Sequence, residues 1–125
     1  MTLQIIDGDF TVCQPADLGS VRTDGKFWCL SKTDEELSLV CPTDQMPKHC
    51  VQSESGWRMF RVKGTLDFSL TGILSRISGV LAQAHVGIFA VSTYNTDYIL
   101  VKRADLRRAL AALRSAGYSI EGDNP

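Results

Sequence analysis

The chain has 125 residues, room for one ordinary domain or two very small ones. Hydrophobic residues make up 44% of it and charged residues 22%, a globular composition that excludes a disordered chain. Thirteen basic residues against fourteen acidic ones, a net charge of -1, offer no basic field for nucleic acid. No apolar run approaches the roughly 20 residues that span a bilayer. The first ten residues, MTLQIIDGDF, lack the basic and apolar segments of a secretory signal, so a cytoplasmic location is expected.

In chain order, the first third reads as short strands. Leu3 to Ile6 is apolar and bounded by the turn composition Asp7-Gly8-Asp9. Phe10 to Gln14 follows, with Phe10, Val12 and Gln14 on one side and Thr11 and Cys13 on the other. Residues 15–26 are rich in turn formers and read as a loop. Phe27 to Ser31 and Leu37 to Cys41 are further strands joined by Thr33-Asp34-Glu35-Glu36, and Pro42 and Pro47 open a loop that runs to about Gly56.

The rest is more regular. Trp57 to Val62 reads as a strand, followed by a turn through Phe68. Leu70, Ile73, Leu74, Ile77, Leu81 and Ala84 then repeat at helical spacing, with Ser69 as the expected N-cap. Gly79 lies inside that helix, where glycine costs about 1 kcal/mol relative to alanine, and its expected use is close packing of a neighbour. Val86 to Thr93 and Tyr98 to Lys102 are strands joined by Tyr94-Asn95-Thr96-Asp97. Ala104 to Ala116 is a second helix with Leu106, Leu110 and Leu113 on one face, ended by Gly117. Tyr118 to Ile120 is a last short strand, and EGDNP a frayed tail. From residue 57 the order is β-α-β-β-α-β, which predicts two helices on one face of a four-stranded antiparallel sheet, the ferredoxin-like arrangement of an α+β protein.

Residues able to do chemistry are sparse. Cys13, Cys29, Cys41 and Cys50 form no C-x-x-C pair, so structural thiols are expected and no metal site. His49 and His85 fall in different regions; neither joins a nucleophile–base set, and His85 suits the C-terminal end of the first helix. No glycine-rich phosphate loop occurs. Arg103, Arg107, Arg108 and Arg114 read as a solvated helix face. No catalytic residue, metal or cofactor is implied.

The segment LDFSLTGILSRISGVLAQAHVGIFAVSTYNTDYILV, residues 66–101, strongly resembles the ACT-domain family, in particular its compact bacterial proteins of two ACT units and its arginine-sensing members in eukaryotes. The resemblance rests on the stretch from Asp67 to Gly72, the helix with Gly79, and the string from Ser92 to Val101. KFWCLSKTDEELSLVC resembles the strand-turn-strand of a truncated first ACT half. The resemblance implies a reduced, strand-rich ACT-like half at 1–54 and a ferredoxin-like ACT domain at 55–125. It further implies a small-molecule site, for an amino acid, at a seam between ACT units, with contacts from Asp67, from Gly87 and Ile88, and from Thr93, Tyr94 and Asp97.

Elementary chemistry fits that set. The N-terminus of the first helix offers N–H groups to a carboxylate. Strand backbone at Gly87 and Ile88 supplies donors and acceptors, Asp67 and Asp97 suit an ammonium or guanidinium, and Tyr94 can cover an apolar stem. Each residue also has a local reading: Asp97 as an Asx turn, Asp67 as a pre-helix turn, Tyr94 as packing, Gly87 as close strand approach. The expected protein is a non-catalytic amino-acid-binding regulator. It is expected as a homodimer through an apolar strand edge, with a regulated enzyme of amino-acid metabolism as a further partner; a protein-interaction adaptor is the other class.

Overall fold

The computed structural model describes residues 1–122; the last three residues of the expected frayed tail lie outside the described residues. The strands are β1 (Thr2–Pro15), β2 (Cys29–Lys32), β3 (Leu37–Pro42), β4 (Cys50–Val62), β5 (Ile88–Ser92), β6 (Asp97–Lys102) and β7 (Ser119–Glu121), and the helices are α1 (Ile73–Gln83) and α2 (Leu106–Ser115). The chain closes into two compact units, one made of Met1–Asp7 with Arg58–Pro125 and the other of Gly8–Trp57. The sequence reading cut the chain once, between 54 and 55. The units divide after Asp7 and after Trp57 instead, because the start of β1 takes its place among the C-terminal strands.

In the first unit the strand order is β7-β1-β4-β6-β5. β5 and β6 pair antiparallel from Ile88↔Val101 to Ser92↔Asp97. β7 pairs parallel with β1 from Thr2↔Ser119 to Gln4↔Glu121. The β4-α1-β5-β6-α2-β7 sequence is the expected ferredoxin-like order, with one difference. The sheet has five strands rather than four, since β1 lies between β7 and β4; an apolar Leu3-Ile5 pair on one face of β1 gives that insertion its core contacts.

The helices sit on this sheet for the reason the spacing gives. Ile73, Ile77 and Leu81 of α1 and Leu106, Ala109, Leu110 and Leu113 of α2 are buried with Leu3, Ile5, Phe60, Val62, Ile99 and Val101 in one apolar cluster. Truncating one such leucine or isoleucine to alanine removes about 2–5 kcal/mol. Helix α1 begins three residues later than the expected start at Leu70, and Ser69 does not cap it. Gly72 does, in a left-handed conformation with φ of 76°, which ends the preceding loop and leaves Leu70 exposed. Gly79 also departs from expectation: a β-carbon there would meet nothing within 4 Å, so no close neighbour accounts for it.

Both helix C-termini finish with a left-handed residue. Gly117 (φ 101°) ends α2, and Tyr118 N–H donates to Leu113 O at 3.1 Å. His85 (φ 60°) ends α1, and Val86 N–H donates to Leu81 O at 2.9 Å. Arg108, read from sequence as part of a solvated face, reaches across from α2 and donates to Ala84 O at 3.0 Å and His85 O at 3.3 Å while pairing with Asp105 at 3.0 Å.

In the second unit the order is β2-β3-β1-β4. β1 and β3 pair antiparallel from Phe10↔Pro42 to Cys13↔Leu39, and β2 pairs with β3 from Cys29↔Val40 to Lys32↔Leu37. Cys13, Leu39 and Cys41 form its buried cluster, with Val21, Leu30, Met46 and Cys50 against them. Two sequence expectations change here. Asp7-Gly8-Asp9 is not a turn between two strands; β1 runs through it, with Gly8 at φ 98° absorbing the distortion without ending the strand. The loop expected up to Gly56 is strand from Cys50 on. Its residues 51–55 are exposed and mostly polar, so burial left no apolar period to read, and pairing with β1 decides the conformation.

Candidate functional site

Two loops of the first unit build the site: residues 63–72, which lead from β4 into α1, and residues 93–96, which join β5 to β6. They are tied to each other and to the sheet. Leu66 N–H donates to Asn95 O at 2.7 Å. The Thr96 hydroxyl, itself buried, donates to Val62 O at 2.7 Å. Thr93 closes the second loop: its N–H and hydroxyl both donate to Thr96 O, at 2.8 and 3.1 Å.

Between the loops lies an open pocket of about 360 Å³, lined by residues 66–68, Leu70, Ile73, Leu74 and residues 92–97. Its floor is apolar, through Leu66, Ile73 and Leu74. Its rim carries Phe68 and Tyr94, whose rings meet edge to face with centroids 4.8 Å apart. Both remain largely in solvent, at 72% and 77% exposure, and Leu70 beside them is half exposed. Large side chains packed on one another but covered by nothing mark a surface available to a ligand or a partner.

The pocket carries two carboxylates and no lysine, arginine or histidine among its lining residues. Asp67 Oδ1 accepts from Ser69 N–H at 2.8 Å, an Asx turn, and that amide bond holds the Asp67 carboxyl below the ordinary carboxylate range. Asp97 Oδ1 accepts from the Ser92 hydroxyl at 2.5 Å rather than closing its own turn; Thr93 performs that task. The N-terminus of α1, with no side-chain cap on its first turn, lines the same pocket through Ile73 and Leu74. An apolar floor, two acceptors for a cation and a helix N-terminus for an anion can together hold a small zwitterion.

Of the six residues singled out by sequence, Asp67, Thr93, Tyr94 and Asp97 meet at this pocket. Gly87 and Ile88 do not. They lie at the opposite end of β5, where Ile88 pairs with Val101, about 17 Å along the strand from Thr93. Gly87 has open space where a β-carbon would stand, so close strand approach does not explain it. Sequence reasoning missed Phe68, Leu70, Ser92 and Thr96. An exposed aromatic and leucine flanking a loop aspartate was the available signal for the first two; Thr96 gave none, because its hydroxyl bonds a carbonyl 34 residues away in the chain. Among the described residues no group of three histidine, cysteine or acidic side chains could hold a metal ion, and no helix is long and apolar enough to cross a membrane.

Comparison with known proteins identifies the family and the fold. Residues 52–115 match the family model described as ACT domain. The cytosolic arginine sensor for mTORC1 subunit 1 of Rattus norvegicus is 28% identical over 119 residues, covering 90% of this chain and 36% of the sensor. The chain thus spans about a third of the length of the curated relatives it matches. The crystal structure of a protein from Agrobacterium tumefaciens superposes with a TM-score of 0.86 at 30% identity, over 99% of this chain and 94% of that one. The regulatory subunit of aspartate kinase from Thermus thermophilus shares the fold alone, with a TM-score of 0.63 at 9% identity over 94% of this chain and 97% of that one. A family match that spans half the sequence and includes both loops of the pocket settles the classification: the chain belongs to the ACT-domain family.

Proposed function

We propose that the chain is a non-catalytic regulator that binds a free amino acid in the pocket between the 63–72 and 93–96 loops. The observation that carries the reading is the convergence of Asp67, Asp97, the start of α1, which has no side-chain cap, and the exposed Phe68–Tyr94 pair around one small cavity. In this reading the α1 N–H groups receive the ligand carboxylate, Asp97 and Asp67 receive its cationic group, and the two rings close over its stem. Membership of the ACT family and likeness to a protein named as an arginine sensor support an amino acid as the ligand. The reading places the protein in the cytoplasm, as the names of its curated relatives do for them.

A regulated enzyme is the matching downstream partner, because a chain of nearly the same length and fold is described as the regulatory subunit of an aspartate kinase. The reduced ACT-like half at 1–54, most of which falls in the Gly8–Trp57 unit, belongs to the same proposal.

Thermal denaturation against the twenty standard amino acids tests it. Binding at 100 times the dissociation constant raises stability by about 2.7 kcal/mol, a shift of several degrees. A melting temperature that rises for one or a few amino acids supports the reading; a flat panel overturns it and leaves the exposed rim as a protein-docking surface.

A further inference from the structure

Three of the four thiols of the second unit meet on one face of its strands, and the strand registers put them there. Thr11 pairs with Cys41 and Cys13 with Leu39, so Cys13 and Cys41 are diagonal neighbours on one face of β1 and β3. On the other side of β1, Ala16 N–H donates to His49 O at 3.0 Å. That bond sets Cys50 opposite Pro15, two residues from Cys13 and on the same face. Cys29 pairs with Val40, itself opposite Val12, and so lies on the other face, outside the group. The Cys13 thiol is in hydrogen-bonding contact with both the Cys41 and the Cys50 thiol.

Solvent reaches the three unequally. Cys13 and Cys41 are 3% and 2% exposed, whereas Cys50 is half-buried and its S–H donates to Pro47 O at 3.5 Å. Burial also keeps the two inner thiols protonated near neutral pH, so neither meets a reagent from solution as a thiolate. We propose that Cys50 and Cys13 form a modification site for small disulfides such as oxidised glutathione, with Cys50 taking the first bond and Cys13 resolving it into a Cys13–Cys50 disulfide.

The Cys50 thiolate attacks one sulfur of the small disulfide, whose S–S bond breaks; one glutathione leaves as its thiol and the other stays on Cys50. Cys13 then attacks the Cys50 sulfur, the mixed S–S bond breaks and the second glutathione leaves. The protein gives up two electrons and two protons, and the two released thiols carry them. Standing contact with Cys50 supplies the effective concentration that a protonated thiol lacks toward a dilute reagent. An alkylating reagent leaves no exchangeable bond on Cys50, so Cys13 stays shielded from it. Oxidised Cys50 has no S–H, so its bond to Pro47 O is lost, and a covalent link from β1 to β4 replaces that tie to the 43–49 segment.

The test is incubation of the native full chain with oxidised glutathione, then acid quenching, alkylation in denaturant and peptide mapping by mass spectrometry. The expected product has Cys13 joined to Cys50, no glutathione retained on either, and Cys41 recovered in alkylated form. Cys13→Ser should stop at a glutathione adduct on Cys50, because the resolving thiol is gone. Cys41→Ser should still form the link. Wild-type protein that keeps glutathione on Cys50, leaves Cys50 unmodified, or joins Cys13 to Cys41 overturns the proposal. The wild-type map decides the matter by itself, so a variant that fails to fold leaves the test intact.

Discussion

Thr96 and Val62 are joined by a buried 2.7 Å hydrogen bond from the threonine hydroxyl to the valine carbonyl, and that bond fixes one loop of the pocket to the end of β4. Thr96→Val keeps the shape and removes the donor, leaving the Val62 oxygen without that bond. The expected loss is about 1–3 kcal/mol, measured by chemical denaturation. Thr96→Ser should restore most of it, since it retains the hydroxyl.

The Phe68–Tyr94 pair predicts a separation of stability from binding. Both rings are mostly exposed, so Phe68→Ala should change folding stability by about 1 kcal/mol or less. The same change should weaken amino-acid binding at least about 10-fold, read by calorimetric titration. Equal losses in both quantities would make the pair a packing element and nothing more.

Asp67 gives a pH test. Its carboxyl lies below the ordinary range because the Ser69 amide donates to it. A lowered folded-state value means that the bond stabilises the loop above the unfolded value of about 3.9 and that this contribution is lost as pH falls through the folded value. Asp67→Asn keeps an acceptor for the turn and removes the titration. Its melting temperature should therefore fall less steeply than wild type below about pH 4.

Arg108 and His85 act at one helix end with opposite effects. Arg108→Ala removes donors to the Ala84 and His85 carbonyls, with an expected cost of about 1 kcal/mol. His85→Gly should stabilise by about 0.5–1 kcal/mol, because a left-handed residue with a side chain gives way to one without. Urea denaturation of the two variants should show shifts of opposite sign.

The thiols of the second unit predict chemical inertness. Burial pushes Cys13 up to about 12 and Cys41 up to about 11 from an ordinary value of 9.0, with Cys50 beside Cys13 adding to the rise. In the native protein near neutral pH both should resist a thiol reagent that modifies them at once after unfolding. The raised values also mean that their contribution to stability is complete below about 9 and declines as pH climbs toward 12.

Much of this architecture was legible in the sequence. The period of Ile73, Ile77 and Leu81 and of Leu106, Leu110 and Leu113 marks both helix faces, and Gly117 marks a helix end. What escaped was set by partners distant in the chain. β1 runs through Asp7-Gly8-Asp9 and residues 50–56 are strand because neighbouring strands supply the hydrogen bonds, although local composition there reads as turn and loop. Gly72 was read as part of the helix, yet its positive φ moves the start to Ile73. In the site, the loop residues Asp67, Thr93, Tyr94 and Asp97 fall together because one hairpin and one pre-helix loop meet. The distance of Gly87 from them follows from the length of β5, which sequence spacing alone does not convert into a direction in space.

The most direct measurement is an amide nuclear-magnetic-resonance titration of the full chain with the amino acid that stabilises it. Occupation of the pocket predicts shifts concentrated at Asp67 to Ile73 and Ser92 to Asp97, with the Cys13–Leu39 strand pair of the second unit unmoved. Saturable shifts that spare both loops, or a spectrum that no amino acid perturbs, would contradict the account.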